Sequence, residues 1–314
     1  MKSNELKETV ISYAKNTSIK ECVELFKGIV SQDTIYKWLR DTKVLKYAYT
    51  LDQCKQELER YKHREPLYSN AISSNRLVHT FQPHFFDKEN KLWQKKDIQK
   101  KLILNRKKYL NKDTTLTDRE LLRGFKISGI HIGYSHFSPL WFKRYILDEN
   151  IKSVYDPCGG WGHRLIGAYL SNIDYVYNDL WNKSYTGCKE ISNFIGYNHC
   201  TLYNNDCTTF TPSDNYDCVF TCPPYYNVES YDEKTFKNLD DYNQFLTKMF
   251  KSSIKESVTK VGIVINNTYK QNIIESIDTR FILKDRILLG TTDKISHFNK
   301  GNSVKQEILL KFEL

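Results

Sequence analysis

The sequence predicts an α/β fold: a doubly wound, mixed sheet of seven strands over its second half, preceded by a small helical region. Three observations point there. From about residue 150, short apolar runs alternate with segments of helical period, as expected where helices cross over between strands. One apolar run ends in Tyr155-Asp156-Pro157-Cys158-Gly159-Gly160-Trp161-Gly162, and another in Thr221-Cys222-Pro223-Pro224-Tyr225. Two successive prolines cannot continue a central strand, because neither has a backbone donor and both fix φ. The chain must leave the sheet there, at the edge where open α/β sheets bind ligands. Two such loops predict a shared crevice for a cofactor and a flat, polar substrate.

Taken in order, residues 4–15 form a first helix with Leu6, Val10, Ile11 and Ala14 at helical spacing. Ser18-Ile19-Lys20-Glu21 is a capping-box pattern that starts a second helix through Phe26. Gly28 stops it, and Ser31 caps a third helix to Arg40 with Ile35, Trp38 and Leu39 inward. This is the layout of a helix-turn-helix unit, residues 1–44, and leaves Gln32, Thr34, Tyr36, Lys37 and Arg40 for bases or phosphates. The segment resembles the helix-turn-helix of transposase-type regulators.

Residues 45–130 read as a basic, mainly helical connector that contacts DNA. A charged helix over 45–65 ends before Pro66, and the run Gln99-Lys100-Lys101-Leu102-Ile103-Leu104-Asn105-Arg106-Lys107-Lys108-Tyr109 suits a helix along a phosphate backbone, with Arg106 and Lys107 on phosphate. Strands are expected near 151–155, 173–178, 200–203, 216–221, 260–266, 281–288 and 304–312. Helices are expected near 163–171, 184–196, 239–257 and 269–277. The polar connection 289–303 has little helical pattern, so the last strand should return antiparallel.

The charge is uneven. Of 47 Lys and Arg and 37 Asp and Glu, residues 1–130 hold 27 and 16, and the remainder holds 20 and 21. All the excess positive charge therefore lies in the N-terminal part, which favours a polyanionic partner there. Eight cysteines show no C-x-x-C pair and no His spacing typical of zinc, so reduced thiols and no metal are expected. The sequence has no apolar run long enough to span a bilayer and no signal peptide, and the expectation is a cytoplasmic protein.

The glycines Gly159, Gly160 and Gly162 let the backbone turn tightly beside a ligand, and no Gly-Lys-Ser/Thr follows as in a nucleotide-hydrolysing phosphate loop. Asp179 ends the second strand, where a carboxylate can accept both hydroxyls of a ribose. Asp206 follows the third strand, placed to accept from an adenine amino group. Each alone is an ordinary strand-end turn residue; together with the two loops they describe a site for an adenosine moiety.

Residues 131–314 resemble the class I S-adenosylmethionine-dependent methyltransferases, specifically the DNA amino-methyltransferases that act on adenine N6 or cytosine N4. Asp156, Pro157, Gly160 and Gly162 match their cofactor loop, D-P-x-x-G-x-G, and Pro223, Pro224 and Tyr225 match their catalytic loop, [D/N/S]-P-P-[Y/F]. Gly124–Ile130, Tyr134–Trp141 and Gly160–Arg164 look like a phage and bacterial branch. Two positions depart from the pattern: Cys222 opens the catalytic loop, and Cys158 stands where the family usually has Phe.

The resemblance implies a Rossmann-like fold, S-adenosylmethionine as cofactor and double-stranded DNA as partner. Asp156, Pro157, Cys158, Gly160, Gly162, Arg164, Asp179 and Asp206 would line the cofactor, with Arg164 on its carboxylate or on a nearby phosphate and His163 equally suited to a structural role. Carbonyls of Cys222 and Pro223 would accept the hydrogens of the target amine, and Tyr225 would stack on the base after it leaves the duplex. Cys222, close in size to Ser, leaves adenine against cytosine open. RNA, a protein glutamine, or an inactive DNA-binding homologue are the alternatives.

Overall fold

A computed structural model describes residues 3–14, 19–41, 44–47, 49–69, 75–110, 116–130, 137–226, 236–289 and 307–314. In chain order the helices before the first strand are α1 (Ser3–Ala14), α2 (Ile19–Leu25), α3 (Gln32–Asp41), α4 (Leu51–His63), α5 (Arg76–Phe81), α6 (Asp87–Trp93), α7 (Lys96–Tyr109), α8 (Asp118–Ile127) and α9 (Pro139–Glu149). Then come β1 (Ser153–Asp156), α10 (His163–Ser171), β2 (Asp174–Asn178), α11 (Asn182–Ile195), β3 (Cys200–Tyr203) and β4 (Cys218–Thr221). The chain continues through α12 (Leu239–Ser253), β5 (Lys260–Asn266), α13 (Lys270–Ser276), β6 (Ile282–Leu288) and β7 (Glu307–Glu313).

These elements form two compact units, Met1–Tyr47 with Phe86–Gly133, and Ala48–Phe85 with Tyr134–Leu314. Compactness thus divides the chain elsewhere than at residues 44 and 130: the expected connector 45–130 is split, and its first part belongs with the sheet. The physical reason is visible at Gln82. Its fully buried amide must find acceptors, and it finds them on the backbone beyond β1.

In the first unit, α1, α2 and α3 close on Val10, Cys22, Phe26 and Ile35, with Leu6 and Trp38 against them. Gly28, at φ +84°, makes the turn after α2. Ser31 Oγ accepts the Thr34 amide at 3.2 Å, capping α3 as the sequence leads one to expect. Ser18 of the expected capping box lies outside the described residues. On α7, Leu102 and Arg106 face inward, and Lys100, Lys101, Leu104, Lys107, Lys108 and Tyr109 face outward.

Arg106 overturns an expectation. Its side chain is 5% exposed, pairs with Glu120 of α8, and lies over Gly124, where a Cβ would stand 3.1 Å from it. A guanidinium buried against a carboxylate is not presented to a phosphate.

The second unit holds one seven-stranded sheet, ordered β3-β2-β1-β4-β5-β7-β6. Strands β1 to β5 run parallel, and β7 runs antiparallel to both β5 and β6. The fold is therefore the Rossmann-like mixed α/β sheet expected, with the last strand returning antiparallel. Buried residues at every position of β4 and nearly every position of β1 and β5 reflect helices covering both faces.

Two features of this order position the site. The strand order reverses between β1 and β4, so their C-terminal ends flank the topological switch point. Because β7 runs backwards, it begins at that same edge, with Glu307 in register with Asn266 at the end of β5.

Candidate active site

At the end of β1, Pro157 turns the chain out of the sheet, and the next residues are held closely. The Gly159 amide donates to the Asn178 carbonyl at 2.8 Å, and a Cβ on Gly159 would stand 2.1 Å from the Tyr177 ring. Only glycine fits there. Gly160 and Gly162 take φ +62° and +94°, which glycine adopts without strain, and Gly162 opens α10. Tyr177 Oη donates to the Gly160 carbonyl at 2.9 Å.

Asp179, half-buried at the end of β2, binds this turn from the other side. Its Oδ2 accepts the Gly160 amide at 2.8 Å, and its Oδ1 accepts the Trp181 amide at 2.8 Å. Burial pushes its carboxyl up to about 6, against the lowering pull of those two amides.

Asp156 and Arg164 are both placed differently from expectation. Asp156 has no exposed surface; its carboxylate accepts Arg164 Nε at 2.5 Å, Arg164 Nη2 at 3.3 Å and Tyr175 Oη at 2.6 Å. Arg164, 6% exposed, also donates to the Cys158 carbonyl. Burial alone would lower the Arg164 pKa, and Asp156 beside it more than reverses this. The pair braces the turn from within, so neither side chain is a direct contact for a cofactor. His163, also buried, meets Asn75 Oδ1 at 3.2 Å, a structural role.

Thr221, fully buried at the end of β4, accepts the Cys158 amide at 3.2 Å on its Oγ1 and so ties the two loops together across the switch point. Cys158 Sγ lies 3.8 Å from Cys207 Sγ, and that contact and burial push its thiol well above the ordinary range. Asp206, half-buried, shapes its own turn: its Oδ1 accepts the amide and the hydroxyl of Thr208 at 2.9 and 2.7 Å.

In the catalytic-loop candidate, Cys222 and Pro224 are half-buried and Pro223 is buried. Tyr225 corrects the sequence reading. It is 6% exposed and its ring joins the core under α12, while its hydroxyl lies 3.6 Å from Cys222 Sγ and donates to Glu307 Oε1 at 3.3 Å. A ring so enclosed offers no face to a base. Tyr226 is half-buried instead; Tyr269 Oη donates to its carbonyl at 2.7 Å, and its ring lies 6.0 Å from that of Tyr242.

The other predicted contacts stand in the first unit. Gln32 is exposed and Thr34 part of the α3 cap, and Lys107 is exposed. The side chains of Tyr36, Lys37 and Arg40 lie outside the described residues.

Sequence reasoning passed over Asn178. It has no exposed surface, donates to the carbonyls of Pro157 and Asn205 at 3.3 and 3.0 Å, and accepts the Asn205 amide at 3.0 Å. Its one signal was a carboxamide at the end of an apolar strand, where burial demands hydrogen-bond partners.

No family model and no curated protein matches this sequence. Solved structures are distantly similar to this chain. TrmN from Thermus thermophilus is 12% identical with a TM-score of 0.41, over 56% of this chain and 48% of that one, so this chain spans about half its length. An S-adenosylmethionine-dependent methyltransferase from Clostridium acetobutylicum is 11% identical with a TM-score of 0.41, over 60% and 95%. The N-methyltransferase NodS from Bradyrhizobium japonicum is 10% identical with a TM-score of 0.36, over 55% and 93%. Likeness at this level says nothing about chemistry, which rests on the geometry above.

Proposed function

We propose that this chain is an S-adenosylmethionine-dependent methyltransferase acting on the exocyclic amino group of adenine or cytosine in DNA. One observation carries the reading: a hydrogen-bonded rim runs along the C-terminal edge of the sheet through the switch point. It passes from Thr221 to Cys158, from Gly160 to Asp179, and from Asn178 to Asn205.

The rim fits a nucleoside-bearing cofactor. At Gly160 a Cβ would meet nothing nearer than the Cys158 carbonyl at 4.0 Å, which leaves open space beside a turn whose backbone is otherwise fixed. Asp179, its charge made costly by burial, gains from further donors such as the two hydroxyls of a ribose. Asp206 would face the adenine end, and Asp156 with Arg164 would keep the turn rigid. When bound, S-adenosylmethionine supplies a methyl group on a sulfonium sulfur.

The chain's own residues would act on the nucleophile. An exocyclic amine is a poor one, because its lone pair is conjugated with the ring. Carbonyl groups of Cys222 and Pro223, held by two fixed φ angles, would accept its hydrogens and draw the nitrogen out of the ring plane. Tyr226 rather than Tyr225 would offer the base a ring face. The outward lysines of α7 and the three-helix arrangement of α1 to α3 support a nucleic-acid partner.

The test is transfer of labelled methyl from S-adenosylmethionine to duplex DNA, with nucleoside analysis and an Asp179→Ala control. Labelled N6-methyldeoxyadenosine or N4-methyldeoxycytidine, absent in the control, supports the reading and names the base. Transfer to RNA or to protein glutamine alone moves the substrate, and no binding of S-adenosylhomocysteine overturns the reading.

A further inference from the structure

We infer that residues 75–85, which fall within the stretch expected to contact DNA, are a working part of the cofactor site. Gln82 is the positioning residue of the glycine turn, with the His84 ring packed on Trp161 and Trp181 beside it. This rests on the cofactor reading above and deepens it.

Gln82 has no exposed surface, and its Nε2 faces three acceptors: the Trp161 carbonyl at 3.3 Å, the Ser184 carbonyl at 3.1 Å and Cys188 Sγ at 3.3 Å. Trp161 lies inside the glycine turn, and Ser184 and Cys188 lie on α11, which follows Asp179 directly. One amide thus bridges the two segments proposed to hold the cofactor. α11 is shaped to admit it, since a Cβ on Gly187 would stand 2.3 Å from Gln82 Oε1. A leucine would fill the same volume without needing partners. The buried Gln82 Nε2 has acceptors, while its Oε1, also buried, has no hydrogen-bond partner among the described residues, so the glutamine is kept for what Nε2 bridges.

The rest of the segment aims at the same turn. The His84 ring lies 5.0 Å from that of Trp161 and 4.8 Å, edge-on, from that of Trp181, whose amide is bound to Asp179. The Phe85 ring meets Trp161 at 4.7 Å. Asn75 meets His163 at the start of α10. Separate side chains of one segment therefore converge on the turn that must hold its shape for a ligand to bind.

The test uses the full chain. Calorimetry with S-adenosylhomocysteine compares wild type, Gln82→Leu and Asn75→Ala, with Asp179→Ala as reference, and hydrogen exchange follows the amides of residues 159–163. We expect Gln82→Leu and Asn75→Ala to weaken binding at least fivefold and to raise exchange in the turn. In transfer assays the change should fall on KM for the cofactor more than on kcat. If the folded variants bind within twofold of wild type while Asp179→Ala loses binding, the segment is packing alone and the inference fails while the cofactor reading stands. Unchanged exchange at 159–163 also defeats it, whatever binds. Should Gln82→Leu fail to fold, Asn75→Ala, at a half-buried position, decides. Absence of binding by wild type defeats both.

Discussion

Arg164 and Asp156 form a two-pronged ion pair beneath the glycine turn, with Nε–Oδ2 at 2.5 Å and Nη2–Oδ1 at 3.3 Å, and Asp156 fully enclosed. Removing one partner leaves the other charge buried and unpaired. Arg164→Met should therefore cost about 3–5 kcal/mol of stability, and Arg164→Met with Asp156→Leu should recover part of it. Urea unfolding of the single and double variants checks this. A double variant no more stable than Arg164→Met alone would mean that the unpaired charge is not what the single change costs.

If Asp179 holds the cofactor as proposed, binding should depend on pH. An acid whose pKa is raised in the fold, here from 3.8 to about 6, binds its proton more readily folded than unfolded. Its contribution to stability therefore falls as pH rises through that window. Cofactor hydroxyls favour the charged carboxylate, so affinity for S-adenosylhomocysteine should rise as pH passes upward through the same window. Asp179→Asn should bind weakly at every pH and lose the slope. A slope that persists in Asp179→Asn assigns the titration to another group.

Gly159 is fixed by a ring. Gly159→Ala places a methyl group within 2.1 Å of Tyr177 and should cost about 1–3 kcal/mol, together with most of the cofactor affinity. Thermal unfolding and calorimetry measure the two losses. Gly28→Ala meets no atom within 4 Å but must hold φ +84°, so it should cost stability through strain and leave cofactor binding untouched.

Tyr225 and Tyr226 separate a core role from a surface role. Tyr225→Ala opens a cavity in the core under α12 and should cost about 3–5 kcal/mol. Tyr225→Phe removes the hydroxyl, with its interactions with Glu307 and Cys222, and should cost about 0.5–1.5 kcal/mol. Tyr226→Ala should be tolerated in urea and yet weaken nucleic-acid binding by about 1–3 kcal/mol through the missing stack. Equal activity of Tyr226→Ala and wild type would return the stacking role to Tyr225 in a rearranged loop.

On α7, Lys107 and Arg106 are neighbours in sequence and opposite in role. Lys107→Glu with Lys108→Glu should weaken DNA binding and lower the slope of log affinity against log salt by about 0.9 for each phosphate no longer neutralised. Arg106→Ala should leave that slope unchanged and lower stability, since its guanidinium belongs to Glu120. Filter binding at several salt concentrations, beside unfolding curves, distinguishes the two.

From β1 onward the element order, the strand ends and the two loops were legible in the chain because they rest on local rules, whereas α5, α6, α8 and α9 were not anticipated one by one. Pro157, Pro223 and Pro224 cannot continue a central strand, and the apolar runs of β4 and β5 have the length and flanks of buried strands. The antiparallel return of β7 followed from the absence of a helical pattern before it. Charge and cap patterns likewise announced α3 and α7.

Partner choice was not legible, because it is decided by how the chain folds back on itself, often between residues far apart in sequence. Nothing near Arg164 says that it will turn back to Asp156 instead of outward. Gln82 and Trp161 stand 79 positions apart, and Tyr225 and Glu307 stand 82 apart. The sequence by itself determined which strands form, where they end and which loops gather at one edge, since those follow from local backbone chemistry and periodicity. Only the tertiary structure decided which of the charged and aromatic side chains at that edge are enclosed and which remain for a ligand, because enclosure depends on what the rest of the chain brings against them.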